Sequence, residues 1–158
     1  MEKVITLRPY RDADLDAMHA LDVVCFEKPF RFSRSAMRRF AESKKARVVI
    51  AEEDHALLGF VILHVEASDT GRIGYIVTLD VAVDHRRKGL AGQLMQAAEQ
   101  EAIREGCVAM VLHVFTGNEP AIRFYASHNF VRAHCEPDFY GSKMDAWVFH
   151  KPLHSLSQ

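Results

Sequence analysis

The sequence predicts an α/β (α+β) fold, a single domain with a mixed, mostly antiparallel seven-stranded sheet and helices on both faces. Two observations carry this prediction. Three strand-like segments follow one another before a long amphipathic helix, and consecutive strands pair as antiparallel hairpins. A strand–helix–strand unit over residues 75–115 then implies one parallel pair with a right-handed crossover. The expected order of elements is β-α-α-β-β-β-α-β-α-β-β.

The composition excludes several classes of protein. The chain has 158 residues, 49% of them hydrophobic, and we expect a domain over residues 1–153 with a tail at 154–158. Lys and Arg number 20 against 21 Asp and Glu, so nucleic acid is not an expected partner. Neither a membrane-spanning apolar run nor a signal peptide is visible, which predicts a cytoplasmic protein without a membrane partner. The three cysteines lack metal-ligand spacing, so no metal is expected.

In the N-terminal part of the chain, each element follows from a local pattern. Residues 3–8 alternate and are rich in β-branched side chains, as in a strand. Asp12 is expected to cap a helix that ends near Cys25. Pro29 interrupts the aromatic stretch 26–32, which predicts a loop.

The next segment predicts a helix followed by a hairpin. Ser33 is placed to cap a helix over residues 34–43. Residues 47–52 and 57–66 are two apolar strands separated by a short turn. His64 is expected at the surface of the protein.

The C-terminal half predicts four strands and two helices. The strand 75–83 leads into a helix over 90–105, whose apolar residues recur every four positions. A buried strand over 108–115 follows, and Asn118 is placed to cap a helix that runs to about Ser127. The last two predicted strands are residues 130–134 and 144–150.

A basic turn joins the strand 75–83 to the helix 90–105. A helix N-terminus carries unpaired N–H groups and partial positive charge, and small residues let a ligand approach its backbone. The turn therefore suits a pyrophosphate, with a solvated helix cap as the alternative. GxxxxGK[ST] and GxGxxG are both absent, which argues against Walker and dinucleotide sites. The residues concerned are Arg86, Arg87, Lys88, Gly89, Leu90, Ala91 and Gly92.

The pattern Arg86-x-x-Gly89-x-Ala91, directly after a strand and opening a helix, resembles the acetyl-CoA loop of the GNAT superfamily of N-acetyltransferases. The segment 112–130 resembles a second motif of that superfamily, and the likeness extends over nearly the whole chain. It implies acetyl-CoA as cofactor, a parallel strand pair that splays apart, and direct attack by a primary amine in a ternary complex. The implied cofactor contacts are Leu79, Asp80 and Val81, the turn 86–92, Asn118 and Tyr125, although Asn118 can equally be a plain helix cap.

Within the superfamily, the chain resembles the enzymes that acetylate protein N-terminal α-amines, including the ribosomal-protein type. The resemblance rests on the aromatic segment Phe26-x-x-Pro29-Phe30 and on the ending Phe139-Tyr140…Asp145-Ala146. The expected acceptor is therefore a protein N-terminal α-amine. A small-molecule amine (amino acid, polyamine or antibiotic) and a non-catalytic acyl-CoA-binding regulatory domain are the alternatives. A homodimer is a habit of the family.

The resemblance also implies catalytic roles. Tyr125 matches the tyrosine that protonates the departing thiolate, and a core tyrosine is the alternative. His113 stands where the resembled branch has a glutamate base. Imidazole can serve as a base near neutral pH, so His113 is the candidate base, with the filling of a half-buried strand face as the alternative. Asp80, on the neighbouring strand, is a second candidate base or the group that orients His113.

The acceptor site is expected between the loop after the first helix and the last hairpin. Four aromatic residues would line it, although ordinary packing explains them equally well: Phe30, Phe32, Phe139 and Tyr140.

Overall fold

The chain folds around a seven-stranded sheet with the strand order β1-β2-β3-β4-β5-β7-β6. The computed structural model describes residues 4–86 and 88–154. The strands are β1 (Thr6–Pro9), β2 (Ala46–Glu53), β3 (Ala56–Ser68), β4 (Gly71–Val81), β5 (Ala109–Phe115), β6 (Val131–Gly141) and β7 (Met144–Pro152). The helices are α1 (Leu15–Cys25), α2 (Arg34–Ala41), α3 (Leu90–Arg104) and α4 (Glu119–Ser127). The predicted fold class, strand number and element order are confirmed.

Helices cover both faces of the sheet. On one face, Leu94 and Ala98 of α3 belong to a core against which α4 also packs. On the other face, Met18 of α1 and Met37 of α2 pack with Phe60 of β3. The predicted apolar stripe of α3 is buried throughout: Leu90, Leu94, Ala98 and Ala102.

The one parallel pair, β4 with β5, is short. It runs only from Ile73 opposite Ala109 to Ile76 opposite Leu112. Beyond this point β4 continues to Val81 and β5 to Phe115, each paired only with its outer neighbour. The sheet therefore opens between the C-terminal halves of β4 and β5. This is the splayed parallel pair that the family resemblance implied.

Two local predictions are wrong. Asp12 does not cap α1, because one 3-10 turn (Asp12–Asp14) precedes the helix and occupies that position. His64 is not at the surface: it is 9% exposed, and its Nε2 lies 2.8 Å from the carbonyl oxygen of Phe40. The apolar strand packs this ring inward beneath α2.

The last hairpin is longer than predicted, since β6 runs to Gly141 and β7 to Pro152. Arg87 and residues 155–158 lie outside the described residues, and the domain boundary at 153 stays a prediction. Among the described residues, no helix has both the length and the apolar character needed to cross a membrane.

Candidate active site

A cavity of about 1070 Å³ lies where β4 and β5 diverge. It is lined from four directions: by the two splayed strands, by α4, by the loop between α1 and α2, and by the end of β6. Among its lining residues are Leu79, Val81, Arg86, Ala91, Asn118, Tyr125, Tyr75, His113, Phe30, Phe32, Phe139 and Tyr140. The structure therefore brings the four predicted acceptor aromatics to one cavity together with Arg86 and Ala91 of the predicted cofactor turn, whereas Lys88, Gly89, Leu90 and Gly92 do not line it.

The basic turn lies at the N-terminus of α3, the position expected of a pyrophosphate cradle. Gly89 has a φ of 83°, in the left-handed region, and a Cβ added there would meet nothing within 4 Å. Glycine is required by this backbone conformation rather than by lack of space. Arg86 donates from Nε to the carbonyl oxygen of Val81 at 3.2 Å, which ties the turn to the end of β4. Lys88 is exposed beside it.

Asn118 caps α4, as predicted. Its side-chain oxygen accepts the N–H of Ala121 at 3.3 Å. The same residue lines the cavity, so the helix-cap interpretation and a contact with a bound ligand are compatible.

Tyr125 lies on α4 between the cavity and the core. Its ring packs edge-on against Phe130, with ring centroids 5.8 Å apart, and near Phe149 at 6.5 Å. Burial is the main reason that the pKa of the Tyr125 hydroxyl is raised above its ordinary value. The hydroxyl therefore holds its proton at neutral pH and can act as a donor inside the cavity.

His113 is held on three sides. Its Nδ1 lies 2.7 Å from the hydroxyl oxygen of Tyr75, and its Nε2 lies 3.1 Å from Oε2 of Glu136. The ring of Phe139 stacks on the imidazole at 3.9 Å with an interplanar angle of 7°. The histidine is thus fixed at the wall of the cavity.

Tyr75 is a site residue that the sequence did not reveal. It sits opposite Val111 in the parallel pair, two residues before His113 on β5, and side chains two apart share a face of the sheet. The only signal was this register, which cannot be read before the pairing of β4 with β5 is known. Burial raises the pKa of the Tyr75 hydroxyl, so it stays protonated as well.

Asp80 does not reach His113, and the prediction that it orients this imidazole is wrong. It faces α1, is 1% exposed, and accepts the hydroxyl of Thr78 at 2.6 Å. Its other neighbour is the carboxyl of Asp22, and burial together with this carboxyl raises the pKa of Asp80 well above its usual range. Asp80 is absent from the residues that line the cavity, which leaves His113 as the candidate base.

The acceptor end of the cavity is aromatic. Phe30 contacts Tyr140 and Phe115, each with ring centroids 5.0 Å apart, and Phe139 lies 4.9 Å from Tyr140. Burial raises the pKa of Tyr140 to about 12. Phe32 lines the cavity further out and packs on Phe40 at 5.1 Å. Phe115 is an addition to the four aromatics that were predicted.

Among the described residues there is no group of three or more His, Cys, Asp or Glu side chains that could hold a metal ion.

The model of the acetyltransferase (GNAT) family matches residues 15–130 of the chain. The chain belongs to the GNAT family. This assignment confirms the resemblance noted for the basic turn and for the segment 112–130. The family match covers both motifs and the strands that carry them.

Individual relatives of this GNAT chain include N-terminal acetyltransferases and a mycothiol acetyltransferase of Corynebacterium aurimucosum, which is 33% identical over 50% of this chain and 27% of the relative. The chain is 30% identical over 111 residues to N-alpha-acetyltransferase 60 of Xenopus tropicalis, covering 66% of this chain and 44% of the relative. It is 26% identical over 148 residues to the N-terminal acetyltransferase complex ARD1 subunit homolog of Dictyostelium discoideum, covering 91% of this chain and 71% of the relative. The chain thus spans less than half the length of the frog relative.

Solved structures show the same GNAT fold. Arabidopsis thaliana NAA60 in complex with a bisubstrate analogue superimposes with a TM-score of 0.83, at 23% identity over 96% of this chain and 99% of the other. The same protein in complex with acetyl-CoA gives a TM-score of 0.81, at 24% identity over 95% of this chain and 99% of the other.

Proposed function

We propose that this GNAT protein is an acetyl-CoA-dependent N-acetyltransferase whose acceptor is a protein N-terminal α-amine. The observation that carries the proposal is the contact of the Tyr75 hydroxyl with Nδ1 of His113, in the same cavity as Tyr125. One side of the cavity thus offers a proton acceptor and the other a proton donor. A transfer from a thioester to an amine needs both.

The residues at the N-terminus of α3 fit acetyl-CoA. The open space over Gly89, the free N–H groups of the first helical turn and the positive side chains of Arg86 and Lys88 suit a pyrophosphate. Asn118 and the ends of β4 and β5 line the same cavity, which supports their assignment to the arm that leads to the thioester. When bound, acetyl-CoA supplies a thioester carbonyl that an uncharged amine can attack.

Tyr75 and His113 prepare the amine. The raised pKa of Tyr75 means that its hydroxyl does not act as a phenolate. It donates its proton to Nδ1 of His113 while its oxygen accepts a proton from the amine. The net result is a neutral amine nucleophile and a protonated imidazole. Tyr125 donates its hydroxyl proton to the departing sulfur on the other side of the cavity. The nitrogen of the new amide releases its second proton to solvent, and solvent returns a proton to Tyr125.

The aromatic residues at the acceptor end of the cavity support the proposal that the acceptor is a peptide N-terminus. Phe139 stacks on His113 and contacts Tyr140, which in turn contacts Phe30. These rings give the acceptor end an apolar wall beside the candidate base, which suits the first side chain of a peptide. Two of the relatives named above are protein N-terminal acetyltransferases, which favours the same acceptor.

A panel of amines tests the proposal. The purified protein is incubated with acetyl-CoA and matched peptides that carry either a free or a formylated N-terminus, each with an internal lysine. We expect thiol release and acetylation at the α-amine of the free peptides alone, located by tandem mass spectrometry. Turnover of small amines alone identifies the small-molecule alternative. Acetyl-CoA binding without turnover of any amine identifies a regulatory domain.

The cytoplasmic location and the homodimer stay predictions. Cell fractionation tests the first, and sedimentation equilibrium of the purified protein tests the second.

A further inference from the structure

We propose that Glu136 is a positioning residue that completes a three-member chain, Glu136–His113–Tyr75, and sets the direction in which the acceptor amine loses its proton. The proposal rests on the proposed function, because it assigns a task to the base of that reaction.

Three adjacent strands place the carboxylate. On β7, Val148 stands opposite His113 of β5 and also opposite His134 of β6, while Ala146 stands opposite Glu136. Ala146 is buried and has only a methyl side chain. The Glu136 side chain can therefore cross above β7, and its Oε2 lies 3.1 Å from Nε2 of His113.

The carboxylate of Glu136 has a second histidine neighbour. Its other oxygen, Oε1, lies 3.5 Å from Nε2 of His134, whose side chain is 60% exposed. The side chain of His113 is only 14% exposed, against 42% for Glu136. Glu136 thus bridges a histidine in the wall of the cavity and a histidine at the protein surface.

The chemistry of a carboxylate decides the tautomer of His113. An ionised carboxylate only accepts hydrogen bonds, so the nitrogen that faces it must carry the proton. Nε2 is buried and makes no aligned hydrogen bond within the described part of the chain, and the acidic oxygen that lies 3.1 Å from it is Oε2 of Glu136. With the proton on Nε2, Nδ1 is left as an acceptor and must receive the hydroxyl of Tyr75.

This polarity gives the proton one direction of travel. The amine N–H bond breaks and a bond to Oη of Tyr75 forms, while the original Tyr75 proton moves to Nδ1. His113 then carries protons on both nitrogens and one positive charge, which the carboxylate of Glu136 faces. A buried cation is costly without such a partner, and a carboxylate behind an imidazole meets that need in other enzymes. With the opposite tautomer, Nδ1 would carry a proton and could not accept one.

Nitrogen-15 NMR of the imidazole, combined with kinetics, tests the proposal on the intact protein. We expect His113 to be the Nε2–H tautomer in the wild type. Glu136→Ala is expected to give a mixture of tautomers and to lower kcat roughly tenfold to a hundredfold, with little change in the peptide KM. Glu136→Gln offers a neutral acceptor of the same size, so it is expected to retain the tautomer and recover part of kcat.

Glu53→Ala, on β2 near the opposite edge of the sheet, is the matched control and is expected to change neither readout. A wild-type tautomer distribution in Glu136→Ala, or an unchanged kcat, would overturn the proposal. The NMR result does not require turnover. If the wild type acetylates no amine, the proposed function fails on its own, and the tautomer still decides whether Glu136 orients His113.

Discussion

The carboxyl groups of Asp22 in α1 and Asp80 in β4 lie against each other, with 0% and 1% of their residue surfaces exposed. One oxygen of each is occupied, because Asp22 accepts the N–H of Phe32 at 2.7 Å and Asp80 accepts the hydroxyl of Thr78 at 2.6 Å. The two remaining oxygens have no hydrogen-bond donor among the described residues. Burial and the neighbouring carboxyl of Asp22 raise the pKa of Asp80 well above its usual range, so Asp80 holds a proton. The pair therefore connects α1, and the loop residue Phe32 that Asp22 binds, to β4 in the middle of the sheet.

The Asp22–Asp80 pair makes stability depend on pH. The pKa of Asp80 is raised in the folded protein by burial and by Asp22, so the folded state binds a proton that the unfolded chain releases near pH 4. The stabilisation is complete below that pH and is lost as the pH rises through the folded pKa. We expect Asp80→Asn, which cannot ionise, to lose less Tm than the wild type between about pH 5 and pH 9. Thermal unfolding across this range measures the difference, and Asp69→Asn in an exposed turn is the control. Parallel curves for wild type and Asp80→Asn would contradict a proton held on Asp80.

Removing the hydroxyl of Tyr75 is expected to slow the reaction without weakening peptide binding. Tyr75→Phe keeps the ring and breaks the contact with Nδ1 of His113, so the amine loses its path to the base. General-base catalysis contributes about a hundredfold or more, and we expect a fall in kcat of that order. Steady-state kinetics with a peptide acceptor measure it. Tyr10→Phe, which removes a hydroxyl bonded to Glu42 instead, should match the wild type. If kcat falls as much in Tyr10→Phe as in Tyr75→Phe, the assignment of Tyr75 to the proton path is wrong.

The variant Tyr125→Phe distinguishes between two roles of Tyr125, proton donor and core residue. The ring contacts with Phe130 and Phe149 persist in the variant, so a purely structural tyrosine would leave kcat unchanged. A donor to the departing sulfur predicts a kcat at least about tenfold lower, with the same acetyl-CoA affinity by calorimetry and a similar Tm. Wild-type kcat in this variant would place Tyr125 in the core alone.

Two glycines at opposite ends of α3 provide a matched pair for the cofactor cradle. Gly89 precedes the helix with a φ of 83° and Gly106 follows it with a φ of 78°, and neither lacks space for a Cβ. Replacing either by Ala should cost about 1 kcal/mol of unfolding free energy, because an L-residue is strained in the left-handed region. Only Gly89→Ala is expected to raise the KM for acetyl-CoA, since only Gly89 lies at the anion-binding end. Equal KM values in the two variants would argue against the cradle.

The predictions from sequence succeeded where the pattern was local. The spacing of apolar residues at every fourth position predicted which residues of α3 are buried. The glycine-containing segment between β4 and α3 predicted a turn, and Gly89 in that turn has a left-handed backbone conformation. The cap of α4 by Asn118 follows from a side chain and a backbone three residues apart. Each of these depends on contacts within one or two turns of chain.

The predictions failed where partners are distant in the chain. Tyr75 and His113 are separated by 38 positions, and Asp22 lies on a helix whose packing decides what Asp80 touches. Val77 adds a further complication, because it is an extra residue between the pairs Leu63–Ile76 and Ile62–Thr78. This bulge puts Tyr75 and Asp80 on the same face of β4, whereas strict alternation would separate them.

The parallel pairing of β4 with β5 involves only four residues on each strand. The opening that results passes through the thickness of the sheet, with Tyr125 on one side and the Tyr75–His113 pair on the other. A sheet is only one backbone thick, so a group that enters the opening must be slender over its last few atoms. A free amine at the end of a peptide, which is the proposed acceptor, meets this requirement. Because the two strands separate after only four paired residues, the width of this opening limits how much of an acceptor can reach the reacting groups.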